Sequence, residues 1–372
     1  LADSQSLTEH QRTRFTAAEL VLGERASRRS LLIVLSERLL DSDAGEFLVL
    51  RQLLKPYAND VAGWFWQRAA GGKVDRSQTF RAACALALFD PGSPRWDGIA
   101  SDTAAMLLVQ DSLELPDWIA AVRPVADRLR LALRNSFLSG QQQEDRLVAA
   151  IVLPELCQEP SQFIDLLLHA DSTQLPFLMR SFERRGNTLI PLLLAGLQEK
   201  NSPTDASATA QSNLAVALLY LGQSDPVWPL LSSASDPALR MEIIHRIAAA
   251  DVLSSTVAGR LAIEEDRGII AALLLSLGEY RTAQLSSVQR RDVLPRIRRL
   301  FEQHGDPGVH SAAQWLLAEW GFTDEIVTIH EKLKAKEPDR SREWFVNQAG
   351  QTLAVVRGPV TFTMGSPEQE ED

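Results

Sequence analysis

The chain has 372 residues, 45% of them hydrophobic and 23% charged, and a formal net charge of −10 at pH 7. That length exceeds what one hydrophobic core usually serves, unless the chain is a repeat array in which each unit packs only on its neighbours. The composition is that of an ordinary soluble protein, and the acidic balance argues against nucleic acid or an anionic membrane as a general partner.

Along the chain, residues 1–10 are polar and are expected to fray. Trp64, Phe65 and Trp66 are large anchors, read first as helix packing and second as a partner-binding groove. Gly71 and Gly72 place a loop at 70–75. Five segments share one look, a small-and-aliphatic helix rich in alanine: 81–89, 146–153, 213–221, 269–277 and 309–317. Alanine lets helix axes approach and leucine fills the space between them, so such helices must be buried. Their irregular spacing fits one or two helix pairs, near the ~40–47 residues of HEAT or armadillo units. Cys84 and Cys157 sit in these apolar contexts and read as buried, reduced core residues, which points to a cytoplasmic setting.

Pro160, Pro176 and Pro191 break the middle into helices of about a dozen residues, or Pro191 kinks one. Residues 200–210 read as a long loop. Asp225-Pro226, Asp236-Pro237 and Asp306-Pro307 each open an apolar segment, with Asp as cap and Pro at the first helical position. Gly222, Gly278 and Gly321 are placed to end helices in the left-handed conformation. Glu264-Glu265-Asp266 reads as a solvated turn, because three adjacent carboxylates do not face a common point. Arg296, Arg298 and Arg299 form the densest basic cluster and read as a solvated helix face. His304 and His310 flank Gly305-Asp306-Pro307 and could meet across the turn, but read as surface residues; Trp315 and Trp320 read as packing anchors.

Period-2 alternation appears first at 351–357 and again at 360–364, with a Gly358-Pro359 turn between them. Leu353, Val355, Val360, Phe362 and Met364 would share one face of this hairpin. Two strands alone are marginal in water, so the segment after about 340 is expected to be loosely packed unless it docks near Trp315 or Trp320. The expected fold is all-α: a HEAT/armadillo-like α-solenoid of antiparallel helix pairs over 1–335, a linker at 336–342, and at 343–372 the truncated start of a second domain with a short β-hairpin. Leu1 is not a start methionine and the chain stops in mid-pattern, so it reads as part of a longer protein.

The sequence holds no phosphate-binding loop, Rossmann fingerprint, kinase motif, nucleophile elbow, HExxH or CxxC. The residues Trp344-Phe-Val-Asn347, Gly350-Gln-Thr352 and Gly358-Pro-Val-Thr-Phe-Thr-Met-Gly-Ser366 resemble the opening of the formylglycine-generating-enzyme (sulfatase-modifying factor) domain. Segments such as 81–87, 225–230 and 305–317 are similar to the HEAT-like region preceding that domain in large bacterial proteins, where a Ser/Thr kinase domain often comes first. The resemblance implies a scaffold or protein-interaction region, whose partner is a protein or a flanking domain. It leaves two alternatives. In one the parent is an oxidase that converts a substrate cysteine to formylglycine, or a related non-haem iron enzyme. In the other the helices are a regulatory module of a kinase fusion. Family oxidases hold copper on a cysteine pair, and others use iron, but far downstream of the opening hairpin. Cys84 and Cys157 do not match that pair, so no catalytic, cofactor-binding or metal residue is assigned. No nucleic-acid partner and no membrane segment is expected; the longest apolar runs, such as 190–197, are too short to span a bilayer.

Overall fold

The computed structural model describes residues 8–22, 28–71, 75–198, 205–281, 283–334 and 342–361. These residues are mostly helical, with one small two-stranded sheet. The chain forms two compact units, Leu1–Leu166 and Leu167–Asp372.

The first unit holds α1 (Glu9–Leu22), α2 (Arg28–Asp41), α3 (Ala44–Leu54), α4 (Ala58–Ala69), α5 (Arg76–Phe89), α6 (Ala100–Leu108), α7 (Leu115–Val122), α8 (Ala126–Ser139) and α9 (Gln143–Leu156). The division falls inside α10 (Pro160–His169). α4 packs on α5, α5 on α7, α6 on α8 and α8 on α9. The alanine-rich α5 is central: residues 82–87 are all buried. Small side chains let neighbours close around it, and Phe47, Phe80 and Trp118 fill the space, with ring centroids 5.0 Å apart for Phe47–Trp118 and 5.2 Å for Phe80–Trp118.

The second unit holds α11 (Leu175–Gln198), α12 (Asp205–Tyr220), α13 (Pro237–Ala249), α14 (Ser254–Ile263), α15 (Arg267–Gly278), α16 (Ser287–Gln303), α17 (Pro307–Glu319) and α18 (Thr323–Lys334). Here packing alternates along the chain. α13 lies on α15 and α15 on α17, while α14 lies on α16. Residues 268–274 of α15 are buried throughout, which is why its sequence is apolar all round. At its start the α15 backbone passes so close to Ser233 that a Cβ on Gly268 would overlap it.

Helix punctuation follows the sequence in part. Asp236 and Asp306 cap α13 and α17 with Pro at the first helical position; their carboxylates accept from Ala238 N at 2.9 Å and Val309 N at 3.0 Å. Asp225-Pro226 opens only a turn and a short 3-10 segment at Trp228–Leu231, where Pro229 takes away an amide that an α-helix would need. Gly222 and Gly321 are left-handed, at φ 74° and 83°. Gly278 is not: it stays helical, and its missing side chain is the place where the Trp315 ring lies. Pro191 sits inside the 24-residue α11 rather than ending a short helix, and 205–210 belong to α12 rather than to a loop. In α11 the packing of a long amphipathic face outweighs the one hydrogen bond lost at Pro191.

The hairpin departs further from expectation. Its strands are β1 (Trp344–Val346) and β2 (Thr352–Ala354), antiparallel, with Trp344 opposite Ala354 and Val346 opposite Thr352. Val360 and Thr361 are not in a strand, and the rest of the expected 360–364 strand lies outside the described residues, as do 336–341 of the expected linker. This register turns Trp344 and Val346 inward, so Leu353 and Val360, expected on a buried face, are exposed. The hairpin is seated on the end of the helices, β1 against α18, Thr352 on His310 and Trp344 on the His304 carbonyl.

Candidate functional site

The first unit carries grooves of about 730, 730 and 440 Å³ lined by named side chains. In α2 the buried residues Leu32, Leu35, Ser36, Leu39 and Leu40 follow the helical period, leaving Arg29, Ile33 and Val34 outside. In α4 the buried set is Val61, Phe65, Trp66 and Ala69, and Trp64 points to a half-exposed flank. Arg68, one turn on, lays its guanidinium 3.3 Å from the Trp64 ring centroid. Between the two helices runs a groove of about 730 Å³, with an apolar floor of Leu32, Val61 and Trp64 and with Arg28 and Arg29 at its mouth. Ser36 lies in the floor, and its buried hydroxyl has no hydrogen-bond partner. A second groove of about 440 Å³ lies between α8 and α10, crossed by a two-pronged Arg134–Asp165 pair at 2.8 and 3.1 Å. Of the aromatic triplet, then, Phe65 is a packing anchor, Trp64 lines the α2–α4 groove, and the mostly buried Trp66 packs while its edge lines a further groove with Arg95 and Ile99.

The other residues singled out by sequence are mostly bound into the structure. Arg298 makes a two-pronged pair with Glu325 of α18, and Arg296 donates to the Glu264 carbonyl at 3.1 Å, so only Arg299 of that cluster is free on the surface. Glu264 is buried rather than solvated. Burial alone would raise its pKa. The amides of Asp266 and Glu265, each at 2.9 Å, and the Arg260 guanidinium outweigh burial and hold the carboxyl below the usual range. Asp266 next to it caps α15. Among the described residues no group of three His, Cys, Asp or Glu is placed to hold a metal ion. Cys84 is wholly buried, and burial pushes its thiol pKa far up despite the nearby Arg51 and Arg81; Cys157 is half-buried rather than buried. A thiol held protonated is a core residue, not a nucleophile.

The histidine reading changes most. His310 is wholly buried, not at the surface. Its ring stacks on Phe301 (centroids 4.7 Å) and on Trp344 of β1 (3.6 Å). Nδ1 lies 2.7 Å from the Phe301 carbonyl, which can only accept, so Nδ1 carries the proton. Nε2 then takes the Thr352 hydroxyl proton at 3.1 Å. His304, across the turn, offers its carbonyl to the Trp344 indole at 2.8 Å, and its Nδ1 accepts from the Asp306 amide at 3.2 Å. His330 of α18 completes the cluster, with its ring 6.4 Å from that of His310. Burial, first of all, lowers the pKa of all three rings, that of His310 to about 4; the cations Arg296, Arg342 and Lys334 add to it.

Sequence reading missed several buried polar groups, among them two that tie neighbouring helices together. Asn213 in α12 donates to the carbonyls of Leu167 and Ala170 at the end of α10, at 2.8 and 2.9 Å, and accepts from Arg246 at 3.2 Å. Arg51 in α3 donates to the carbonyls of Cys84 in α5 and Ala121 in α7, at 3.0 and 2.6 Å. The visible signal for Asn213 was an amide at the head of the apolar run 214–219. No helix among the described residues is long and apolar enough to cross a membrane. A scan against protein-family models and a search of curated proteins gave no match to this chain.

Proposed function

We propose that the chain is a HEAT-like helical-repeat scaffold, a protein-interaction region of a larger multidomain protein. The observation that carries this reading is the alternate packing of the second unit, α13 on α15 on α17 with α14 on α16. Packing every element only on near neighbours in sequence is what a two-layer helical array does, and such arrays serve mainly to present surface. The surface assigned to a partner is the α2–α4 groove. Its apolar floor and the arginines at its mouth suit an amphipathic segment of a protein partner with an acidic end.

A photoreactive amino acid placed at Ile33, on the groove, tests this against one at Val49, more exposed and outside the groove's lining on α3. The expected result is a cross-linked protein specific to position 33 that is lost in Trp64→Ala. The same products from both positions would sink the reading. The second reading is that the helices recruit substrate for a formylglycine-generating-type oxidase or a related iron enzyme, and the residues Gly358 to Ser366 support it. Assay of the complete reading frame on a cysteine-containing sulfatase peptide, with copper or with iron, separates the two.

A further inference from the structure

We propose that the hairpin is an acid-released latch: residues 343–355 are seated on the end of α16, α17 and α18 by an uncharged His310 ring and leave that seat when the histidine cluster takes up protons. The seat is built around neutral imidazole. His310 fills a slot between Phe301 and Trp344 with no exposed surface, and both its nitrogens are already committed, Nδ1 as donor and Nε2 as acceptor. A proton on Nε2 would reverse the Thr352 hydrogen bond and bury a cation in an aromatic slot. A proton on His304 Nδ1 would displace the Asp306 amide from the loop that also holds Trp344 through the His304 carbonyl.

The charges around the seat decide the direction. From the hairpin, Arg342 lies over Trp344 with its guanidinium 5.0 Å from the ring centroid, and it disfavours a charged His310. From α18 come His330 and Lys334, cationic or able to become so, with Glu331 as the opposing carboxylate. From α16, Arg296 opposes charge on His304, and Asp306 favours it. Glu343 and Asp306 are both within reach of Arg267 of α15, at 3.5 and 3.3 Å. No carboxylate among the described residues pairs with His310; the Phe301 carbonyl and stacking on Phe301 and Trp344 favour a proton there, and burial outweighs them.

In the released hairpin His310 is solvated and titrates near 6.5, against about 4 when seated. The docking equilibrium is therefore intact above pH 6.5 and weakens as pH falls towards 4. Linkage makes it about 30-fold weaker at pH 5 than at pH 7.5 from His310 alone. His304 and His330 act in the same sense.

The test is amide hydrogen exchange of the full chain at pH 7.5 and 5.0, each referred to a synthetic peptide of residues 342–356 so that the chemical pH dependence of exchange cancels. The expected result is a loss of protection of at least 30-fold over 343–355 at pH 5.0, while α12 and α15 keep theirs, and a clearly smaller loss in His310→Gln, where only His304 and His330 remain. Equal protection at both pH values overturns the proposal. So does loss in step with α12 and α15, which is global unfolding, or an unchanged response in His310→Gln. Should that variant fail to fold, NMR titration of the wild-type His310 ring decides: a ring that titrates near 6.5 while the hairpin stays seated overturns the latch.

Discussion

Asn213 shows how one polar side chain holds a helical array together. At the end of α10 the Leu167 carbonyl takes the Ala170 amide at 3.3 Å, and the Asn213 amide is a second donor to it and a donor to the Ala170 carbonyl. Its oxygen in turn faces Arg246, which Glu242 holds at 2.6 Å. Asn213 and Arg246 are buried, so removing the amide takes a donor from the Ala170 carbonyl and an acceptor from Arg246 in a medium of low polarity. Asn213→Ala should lower stability by about 1–3 kcal/mol, and Asn213→Leu should do no better, because those partners remain. Urea unfolding at constant m-value measures both. A loss under about 0.5 kcal/mol, typical of an ordinary surface site, would show that water replaces the amide.

Among elements, the entry to α17 compares two Asp-Pro pairs that look alike in sequence. Asp306 accepts from the Val309 amide and pairs with Arg267 at 3.3 Å, and its loop carries the hairpin's seat. Asp225 is exposed and precedes only a 3-10 turn. Asp306→Ala should therefore cost about 1–2 kcal/mol, the worth of an N-cap in a partly buried setting. Asp225→Ala should stay within about 0.5 kcal/mol. Thermal or urea denaturation of the two variants side by side checks this; equal effects would mean that α17 does not depend on its cap.

For the whole molecule, five of the six histidines, all but His10, lie in the unit Leu167–Asp372, so acid sensitivity above the carboxylate range should be confined there. The sign follows from the depressed ring of His310. It contributes stability above pH 6.5, and that contribution is lost as pH falls towards 4. A shift from 6.5 to about 4 corresponds to about 3 kcal/mol for this fully buried group. Glu264, held below its usual pKa, contributes above about 4.5 and fades below that, so it cannot account for losses between pH 6.5 and 5. Denaturant unfolding of wild type and His310→Gln across pH 5–7.5 should show a falling stability in the first and a shallower fall in the second. Parallel curves would place the acid sensitivity elsewhere.

Helicity, the buried alanine-rich segments and the caps at Asp236 and Asp306 were legible in the sequence, because local periodicity, small-residue content and Asp-Pro chemistry act within a few residues of one another. The sequence also marked Trp64, His304 and His310 as residues worth locating. It could not say which of them face a groove and which are sealed, because that depends on partners tens of residues away: α2 around Trp64, Trp344 and Thr352 around His310. The hairpin was misread for the same reason. Alternation in 351–357 suggested which residues could share a face, but β1, a three-residue strand with only Trp344 and Val346 to bury, chose the face that turned inward. Gly278 looked like a helix end by type, and only the tertiary structure, by laying Trp315 across it, made it a packing site. Sequence by itself determined the elements, through short-range backbone and side-chain preference. Tertiary structure alone decided which polar and aromatic groups meet, since burial and hydrogen-bond completion are properties of the assembled core.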